Sequence, residues 1–143
     1  MYFLWLLVSL GLMAAPVGKC PLTVLDLQDS YCPNSPVVSL RIKNPATEPI
    51  EVSLMVDKRT KSGEWERFVT DMFADSAYPL PKTVVTLGSH AELAVQWRPP
   101  KWMTREPLGA GSYRIVALVG LGGRTRQHPC YLAQFVVTRA ACR

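Results

Sequence analysis

Two histidines are the first candidates for chemistry in this chain of 143 residues. His90 follows Ser89, but a serine nucleophile needs its histidine base oriented by a third group, and no Gly-x-Ser-x-Gly turn is present. Neither histidine has a second histidine two or four residues away, and Cys130, which follows His128 by two residues, is needed for a disulfide. The sequence therefore predicts no catalytic residue, no metal ligand and no cofactor-binding residue.

Four carboxylates are the second candidate, because they gather around one short segment: Glu64, Glu66, Asp71 and Asp75. Paired acids can carry out glycoside hydrolysis. Glu64 and Glu66, however, share one face of a short predicted strand, where charges keep an exposed sheet edge soluble. We favour this second interpretation and expect a protein that is not an enzyme.

A basic, proline-stiffened loop is the candidate for partner binding. It runs over residues 98–105 (RPPKWMTR) and displays a tryptophan among basic residues. Stiff loops that present Trp and Arg make good anchors, because they lose little entropy on docking. A second basic loop follows Gly122 and Gly123. The alternative is that Trp102 folds back as a plug over the end of the domain. The candidate partner-binding residues are Arg98, Lys101, Trp102, Arg105, Arg124 and Arg126.

The positive charge of the chain lies in its last third. The formal net charge is +5, yet residues 19–97 carry eight Lys or Arg against ten Asp or Glu. Residues 98–143 carry eight basic residues against Glu106 alone, a net charge of +7. Such asymmetry can attract an anionic surface or polymer, although we favour a solvated basic face. A nucleic-acid partner is not expected, since the basic segment lacks interleaved aromatic residues.

The first residues predict export. Residues 2–17 are uncharged and apolar and end in small residues, which is the pattern of a secretory signal peptide; we assign it to residues 1–18 and expect it to be removed. The alternatives are an uncleaved segment that anchors the protein to a membrane, and a buried core helix. Lipidation of Cys20 is disfavoured, because Lys19 stands where a small residue is required. We expect residues 19–143 to form one domain that is secreted or periplasmic.

Hydrophobic and polar residues alternate along much of the remaining chain. The alternation covers residues 38–42, 50–56 and 93–97, and each run is typical of a strand with one buried and one solvated face. Residues 112–121 are apolar on both faces apart from Arg114, which indicates a central strand. Turn signals separate the runs, and no helical period follows the signal. The pattern predicts an all-β fold, an immunoglobulin-like two-sheet sandwich of about seven strands.

Several short motifs carry a resemblance to a known family. In chain order they are Ile42-Lys43-Asn44, Gly63-Glu64-Trp65, Leu87-Gly88 and Leu108-Gly109-Ala110-Gly111-Ser112-Tyr113-Arg114-Ile115. Over roughly residues 37–120 the chain resembles the bacterial immunoglobulin-like domains of small exported proteins and lipoproteins. The resemblance implies this fold but no particular activity, and its pattern does not require the cysteines.

The four cysteines predict two disulfides, because an even number in an exported domain is usually paired. Residues 131–139 read as one strand of roughly 30 Å, whereas bonded cysteines need Cα atoms within about 7 Å, so Cys130 and Cys142 are not paired. The first strand, near residues 22–27, and the last strand of such a sandwich run in the same direction. This favours Cys20–Cys130 with Cys32–Cys142, while the crossed pairing stays open.

These features together predict an exported, non-catalytic binding or structural module that acts through protein–protein contacts at the cell envelope. Its expected partner is an unidentified envelope or extracellular protein, or else an anionic surface or polymer bound electrostatically. A further alternative is an inhibitor of an extracytoplasmic enzyme, in which the loop at residues 98–105 blocks the cleft of that enzyme.

Overall fold

The computed structural model describes residues 18–33, 37–69, 71–73, 83–98, 108–121 and 128–142. The predicted signal peptide lies outside these ranges up to residue 17. Among the described residues, no helix is long and apolar enough to cross a membrane. The described elements are ten strands and one turn of 3-10 helix: β1 (Gly18–Lys19), β2 (Thr23–Leu25), β3 (Ser30–Tyr31), β4 (Val38–Lys43), β5 (Ile50–Arg59), β6 (Trp65–Val69), β7 (Val85–Leu87), β8 (Glu92–Trp97), β9 (Gly111–Leu121), β10 (His128–Val137) and the 3-10 turn (Arg139–Ala141).

The strands form the two sheets of an immunoglobulin-like sandwich. The large sheet has the order β1–β10–β9–β5–β6, with β3 also on β10 and β7 also on β5. The small sheet has the order β2–β4–β8. Strands β5, β9 and β10 correspond to the C, F and G strands of an immunoglobulin domain, and β4 and β8 to its B and E strands. The predicted all-β, two-sheet fold is confirmed.

The first predicted strand, near residues 22–27, is present as β2, and the short strands β1 and β3 lie on either side of it, which is one reason why the described residues form ten strands where about seven were expected. The chain pairs with β10 as β1, crosses to the small sheet as β2, and returns to β10 as β3. Both contacts with β10 are parallel, as the direction of the first and last strands predicted. The return begins at Asp26, whose φ of 63° lies in the left-handed region.

The core between the sheets is built from the predicted alternation. In β4 the buried residues are Val38, Leu40 and Ile42, and the intervening Ser39 and Arg41 are exposed. Each buried residue faces the large sheet because successive side chains of a strand point to opposite faces. The predicted single wet face is confirmed for this strand.

The same prediction is wrong for β5. Its core-facing residues are buried as expected, but so are Ser53, Met55 and Asp57 on the other face. The reason is the position of β5 in the sheet, because β9 lies on one side of it and β6 and β7 on the other. Long side chains from these neighbouring strands, including Arg67 and Arg114, reach across β5 to contact its outer residues.

The entry to β9 is held by a tyrosine corner. Tyr113 is fully buried, and its hydroxyl donates a hydrogen bond of 2.6 Å to the carbonyl oxygen of Gly109. Its ring stacks on that of Phe135 in β10, with centroids 5.4 Å apart. Burial raises the pKa of Tyr113 to about 12. This residue therefore fixes β9 to β10 beneath the outer face of the large sheet.

Asn44 joins the loops at one end of the sandwich. It is fully buried, and its Nδ2 donates to the carbonyl oxygens of Glu48 and Gly88, at 2.8 and 3.1 Å. Its Oδ1 accepts a hydrogen bond of 3.0 Å from the backbone N–H of Ala46. Its own backbone N–H donates to the carbonyl oxygen of Ala91. Because this buried amide already has several partners within the protein, Asn44 holds the loops in place and is not a ligand-binding residue.

Two disulfides connect the start of the domain to its end. Cys20 is bonded to Cys130, with Cα atoms 4.8 Å apart, and Cys32 to Cys142, with Cα atoms 4.7 Å apart. This is the pairing that the parallel first and last strands favoured. Each bond closes a loop with a sequence separation of 110, and such a loop stabilises the fold by roughly 4–5 kcal/mol on a chain-entropy model.

Candidate binding surface

The outer face of the large sheet, which is turned away from the small sheet, carries a buried carboxylate. Asp57 in β5 is 3% exposed. The strand register places Asp57 opposite Arg67 of β6 and opposite Arg114 of β9. Three charged side chains on adjacent strands therefore meet on one face of the sheet.

Each arginine binds a different oxygen of this carboxylate. The Nε atom of Arg67 donates to Oδ1 of Asp57 at 2.5 Å, and the Nε atom of Arg114 donates to Oδ2 at 2.8 Å. Arg67 also contacts the Sδ atom of Met55 through Nη1. A buried carboxylate is tolerated only when both its oxygens are satisfied by close partners, and these two arginines meet that condition.

Arg114 is held between two aromatic rings. Its guanidinium carbon lies 4.7 Å from the ring centroid of Trp65 and 5.0 Å from that of Tyr131. The Tyr131 hydroxyl accepts a hydrogen bond of 2.7 Å from Nε2 of Gln134. Burial lowers the pKa of Arg114, but its interactions with Asp57 and Tyr131 outweigh that effect and raise the pKa overall. Arg114 is therefore a fixed cation in a cation–π stack.

A third arginine also lies against the tryptophan. Arg59, at the end of β5, donates from Nε to the carbonyl oxygen of Gly63, and its guanidinium carbon lies 5.9 Å from the Trp65 ring centroid. Gly63 has a φ of 89°, a conformation that favours glycine, and it closes the hairpin predicted between β5 and β6. This turn brings Trp65 back beside Arg59.

We call these side chains the arginine–aromatic patch: Arg59, Trp65, Arg67, Arg114 and Tyr131, with Asp57 beneath them. Trp65 and Tyr131 are half-buried, and 40% of the Arg67 side chain is exposed. The patch contains three arginines and a single carboxylate, that of Asp57, so it carries two positive charges in excess of its own acid; Arg67 and Arg114 bind this carboxylate, and Arg59 lies beside Trp65. Among the described residues, Arg67 and Arg114 form ion pairs with Asp57 alone.

The outer face of the small sheet carries a different set of ion pairs. Arg41 of β4 contacts Asp26 at 2.6 Å and Glu92 at 3.1 Å, and Lys43 lies 4.0 Å from Glu92. Between 39% and 64% of each of these four side chains is exposed. Two bases and two acids balance one another in solvent, and such a network has no excess charge to offer a partner.

The structure tests little of the predicted binding site. Arg98 follows β8 and is exposed. The other predicted residues lie outside the described ranges: Lys101, Trp102, Arg105, Arg124 and Arg126. The arginine–aromatic patch was not identified from the sequence. The only sign of it in the sequence is Arg114, a lone charge in an apolar central strand. Such a residue requires a partner on a neighbouring strand.

The structure describes three of the four carboxylates that were considered for chemistry, Glu64, Glu66 and Asp71. Glu64 and Glu66 are exposed at the β6 edge, and Asp75 lies outside the described ranges. Asp71 accepts hydrogen bonds from the backbone N–H groups of Phe73 and Thr83 and so ties two loop segments together. No group of three or more His, Cys, Asp or Glu within the described part of the chain could hold a metal ion.

Comparison with known proteins yields structural similarity only. No protein-family model and no curated protein sequence matches the chain. The alkylpurine DNA glycosylase AlkC of Pseudomonas fluorescens, bound to DNA containing an abasic site analog, is 15% identical with a TM-score of 0.45. That match covers 85% of this chain but only 31% of the glycosylase. The ASH/PapD-like domain 7 of human CEP192 is 16% identical with a TM-score of 0.43, and the match covers 91% and 94% of the two chains. The predicted membership of a bacterial exported family stays a prediction.

Proposed function

We propose that this chain is a non-catalytic binding domain of an extracytoplasmic compartment, and that it recognises a protein through the arginine–aromatic patch. The observation that supports the proposal is the stacking of Arg114 between Trp65 and Tyr131 while its Nε atom binds the buried Asp57. Three residues with good binding chemistry are thereby held in one arrangement on the surface of a sheet.

The composition of the patch fits a binding role. Tryptophan, tyrosine and arginine are the residue types most enriched among those that dominate the binding energy of protein interfaces. Here the rings and the guanidinium group already contact one another before any partner arrives, so little side-chain entropy remains to be lost on docking. A strand-mounted patch is also more rigid than a loop of similar composition.

The disulfides support the extracytoplasmic location of the proposed function. Two disulfides are typical of proteins in oxidising, extracytoplasmic surroundings. Together with the predicted signal peptide at residues 1–18, they favour a secreted or periplasmic protein whose partner belongs to the envelope or the extracellular space. β1 begins at Gly18, so cleavage after this residue would leave Lys19 as the first residue to pair with β10.

Photo-crosslinking in the producing cell tests this function. A benzoylphenylalanine replaces Gln134, which is exposed and contacts Tyr131, or replaces Gln96, which is exposed on β8 of the small sheet. We expect a discrete protein adduct from position 134, none from position 96, and loss of the adduct when Trp65→Ala is added. Equal adducts from both positions, or none from position 134, would contradict the proposal.

A further inference from the structure

The arginine–aromatic patch contains an internal mismatch of charge. Arg67 and Arg114 share one carboxylate, that of Asp57, and Arg59 adds a third positive charge beside Trp65. Resting on the proposed function above, we propose that the partner protein completes this balance with a carboxylate. An Asp or Glu side chain of the partner would bind between Arg67 and Arg114, against the ring of Trp65.

The geometry leaves hydrogen-bond donors for this purpose. A guanidinium group has five N–H donors, and both arginines reach Asp57 through Nε. Arg67 directs one further group, Nη1, toward Met55. Within the described structure, Nη2 of Arg67 has no hydrogen-bond partner, and 40% of the side chain is exposed. The planar guanidinium group can therefore offer outward N–H groups to a second carboxylate while it keeps the first.

The surroundings strengthen such a contact. Only 19% of the Arg114 side chain is exposed, and apolar residues lie beside it on the outer face, where Met55 and Val116 oppose each other in register and are both buried. Charges in a partly desolvated site attract one another more strongly than charges in bulk water. A carboxylate that bound here would also exclude solvent from the ring of Trp65.

The convergence of the charges favours a protein carboxylate over a sulfated polymer. Arg67 and Arg114 stand two strands apart, yet both guanidinium groups are held at one place above β5 by the carboxylate of Asp57, which binds their Nε atoms. The N–H groups that face away from Asp57 therefore lie close together, and a single side-chain carboxylate can approach them from the solvent side. A polyanionic chain instead requires basic groups spread along a track, because its charges repeat along its length.

Fluorescence anisotropy with a labelled oligoglutamate peptide tests this inference. The two variants to compare are Arg67→Gln and Arg41→Gln, because each removes one half-exposed, ion-paired arginine from the outer face of a sheet. Binding to the Arg67→Gln protein should be about tenfold weaker, the loss expected for one charge-assisted hydrogen-bonded pair. Binding to the Arg41→Gln protein should be unchanged. An oligoglutamine peptide should not bind to the wild type.

Three results would overturn the inference. An equal loss in both variants would mean that the peptide responds to the overall positive charge of the protein. The absence of oligoglutamate binding to the wild type would remove the carboxylate site. A heparin oligosaccharide that binds more tightly than the peptide, with the same dependence on Arg67, would assign the site to sulfated polymers.

Two further measurements keep the test decisive. If Arg67→Gln does not fold, Arg67→Lys replaces it. Lysine keeps the positive charge beside Asp57 but lacks the planar fork of the guanidinium group, so this variant should still bind the peptide severalfold more weakly than the wild type. Peptide affinity equal to that of the wild type would contradict the inference.

The crosslink from position 134 separates the two proposals. A crosslink that persists in Arg67→Gln would uphold the protein-binding surface and reject the carboxylate.

Discussion

The outer faces of the two sheets use the same residue types in opposite ways. On the small sheet, Arg41 binds Asp26 and Glu92 in a network that is largely exposed and balanced in charge. On the large sheet, Arg67 and Arg114 bind a single carboxylate that solvent hardly reaches. Both β4 and β5 have a strand on each side, so the difference lies in what covers their outer faces. Arginine and aromatic side chains from neighbouring strands cover Asp57 on β5, whereas the ion pairs of β4 are open to water.

This contrast shows that an arginine–carboxylate pair has no fixed energetic value. An exposed pair contributes little, because water screens the charges and holding two long side chains together costs entropy. A buried pair contributes little when it forms but costs much when one partner is removed, since a charge is then left without compensation. The patch should therefore be sensitive to substitution where the small-sheet network is not.

The largest expected effect comes from the buried cluster. Arg114→Ala should lower the free energy of unfolding by about 3–5 kcal/mol, because Asp57 loses one of its two partners. The matched substitution Arg41→Ala should leave the urea midpoint close to that of the wild type. Urea denaturation of the disulfide-intact proteins checks both values. Similar losses for the two variants would show that burial does not distinguish the two faces.

The second prediction concerns the pH dependence of stability that arises from Tyr113, a residue of the core beneath the patch. The pKa of Tyr113 is raised to about 12 in the folded protein, against about 10 in the unfolded chain, so the unfolded state loses its proton first as pH rises. Stability should therefore fall between pH 10 and pH 12, by about 2–3 kcal/mol from this residue.

Tyr113→Phe is the control for this pH dependence. The variant should lose the part of the alkaline decline that belongs to Tyr113, while the crosslink from position 134 should persist, because Tyr113 lies on the opposite face of β9 from Arg114. An unchanged pH profile, measured by thermal unfolding at a series of pH values, would exclude Tyr113 as its source.

The smallest effect is expected on the small sheet. Glu92→Gln removes the negative charge that Arg41 and Lys43 share, while Arg41 keeps Asp26 as its other partner. We expect only a slight decrease in thermal midpoint at low salt, and no difference from the wild type near 1 M salt, where the screening length is about 3 Å. A deficit that survives high salt would mean that this network is less solvated than its exposure indicates.

Much of the fold could be predicted from the sequence, because it depends on local patterns. The alternation in β4 and β8 marks their buried faces, and the apolar run of β9 marks its central place. The length of the last strand excluded a bond between Cys130 and Cys142, and the direction of the first strand favoured the observed pairing over the crossed one. These inferences need only the period of two along a strand and the reach of an extended chain.

The patch could not be predicted, because it depends on the register between strands. Asp57 is separated from Arg67 by 10 residues and from Arg114 by 57 residues along the chain. Nothing in the local pattern states that these positions face one another. The burial of Met55 escaped the period-two rule for the same reason, since side chains from neighbouring strands cover the outer face of β5.

The two disulfides have a mechanical consequence. Tension applied upstream of Cys20 and downstream of Cys142 passes through the Cys20–Cys130 bond and then along β10 to Cys142. This load path consists of covalent bonds, and it bypasses residues 21–129, which include β5, β6 and β9. A chain pulled by its ends would therefore keep most of the sandwich unloaded. The patch residues on β5, β6 and β9 would keep their arrangement under a force that shears the strands of a domain without such bridges, and within the patch only Tyr131 lies on the loaded strand.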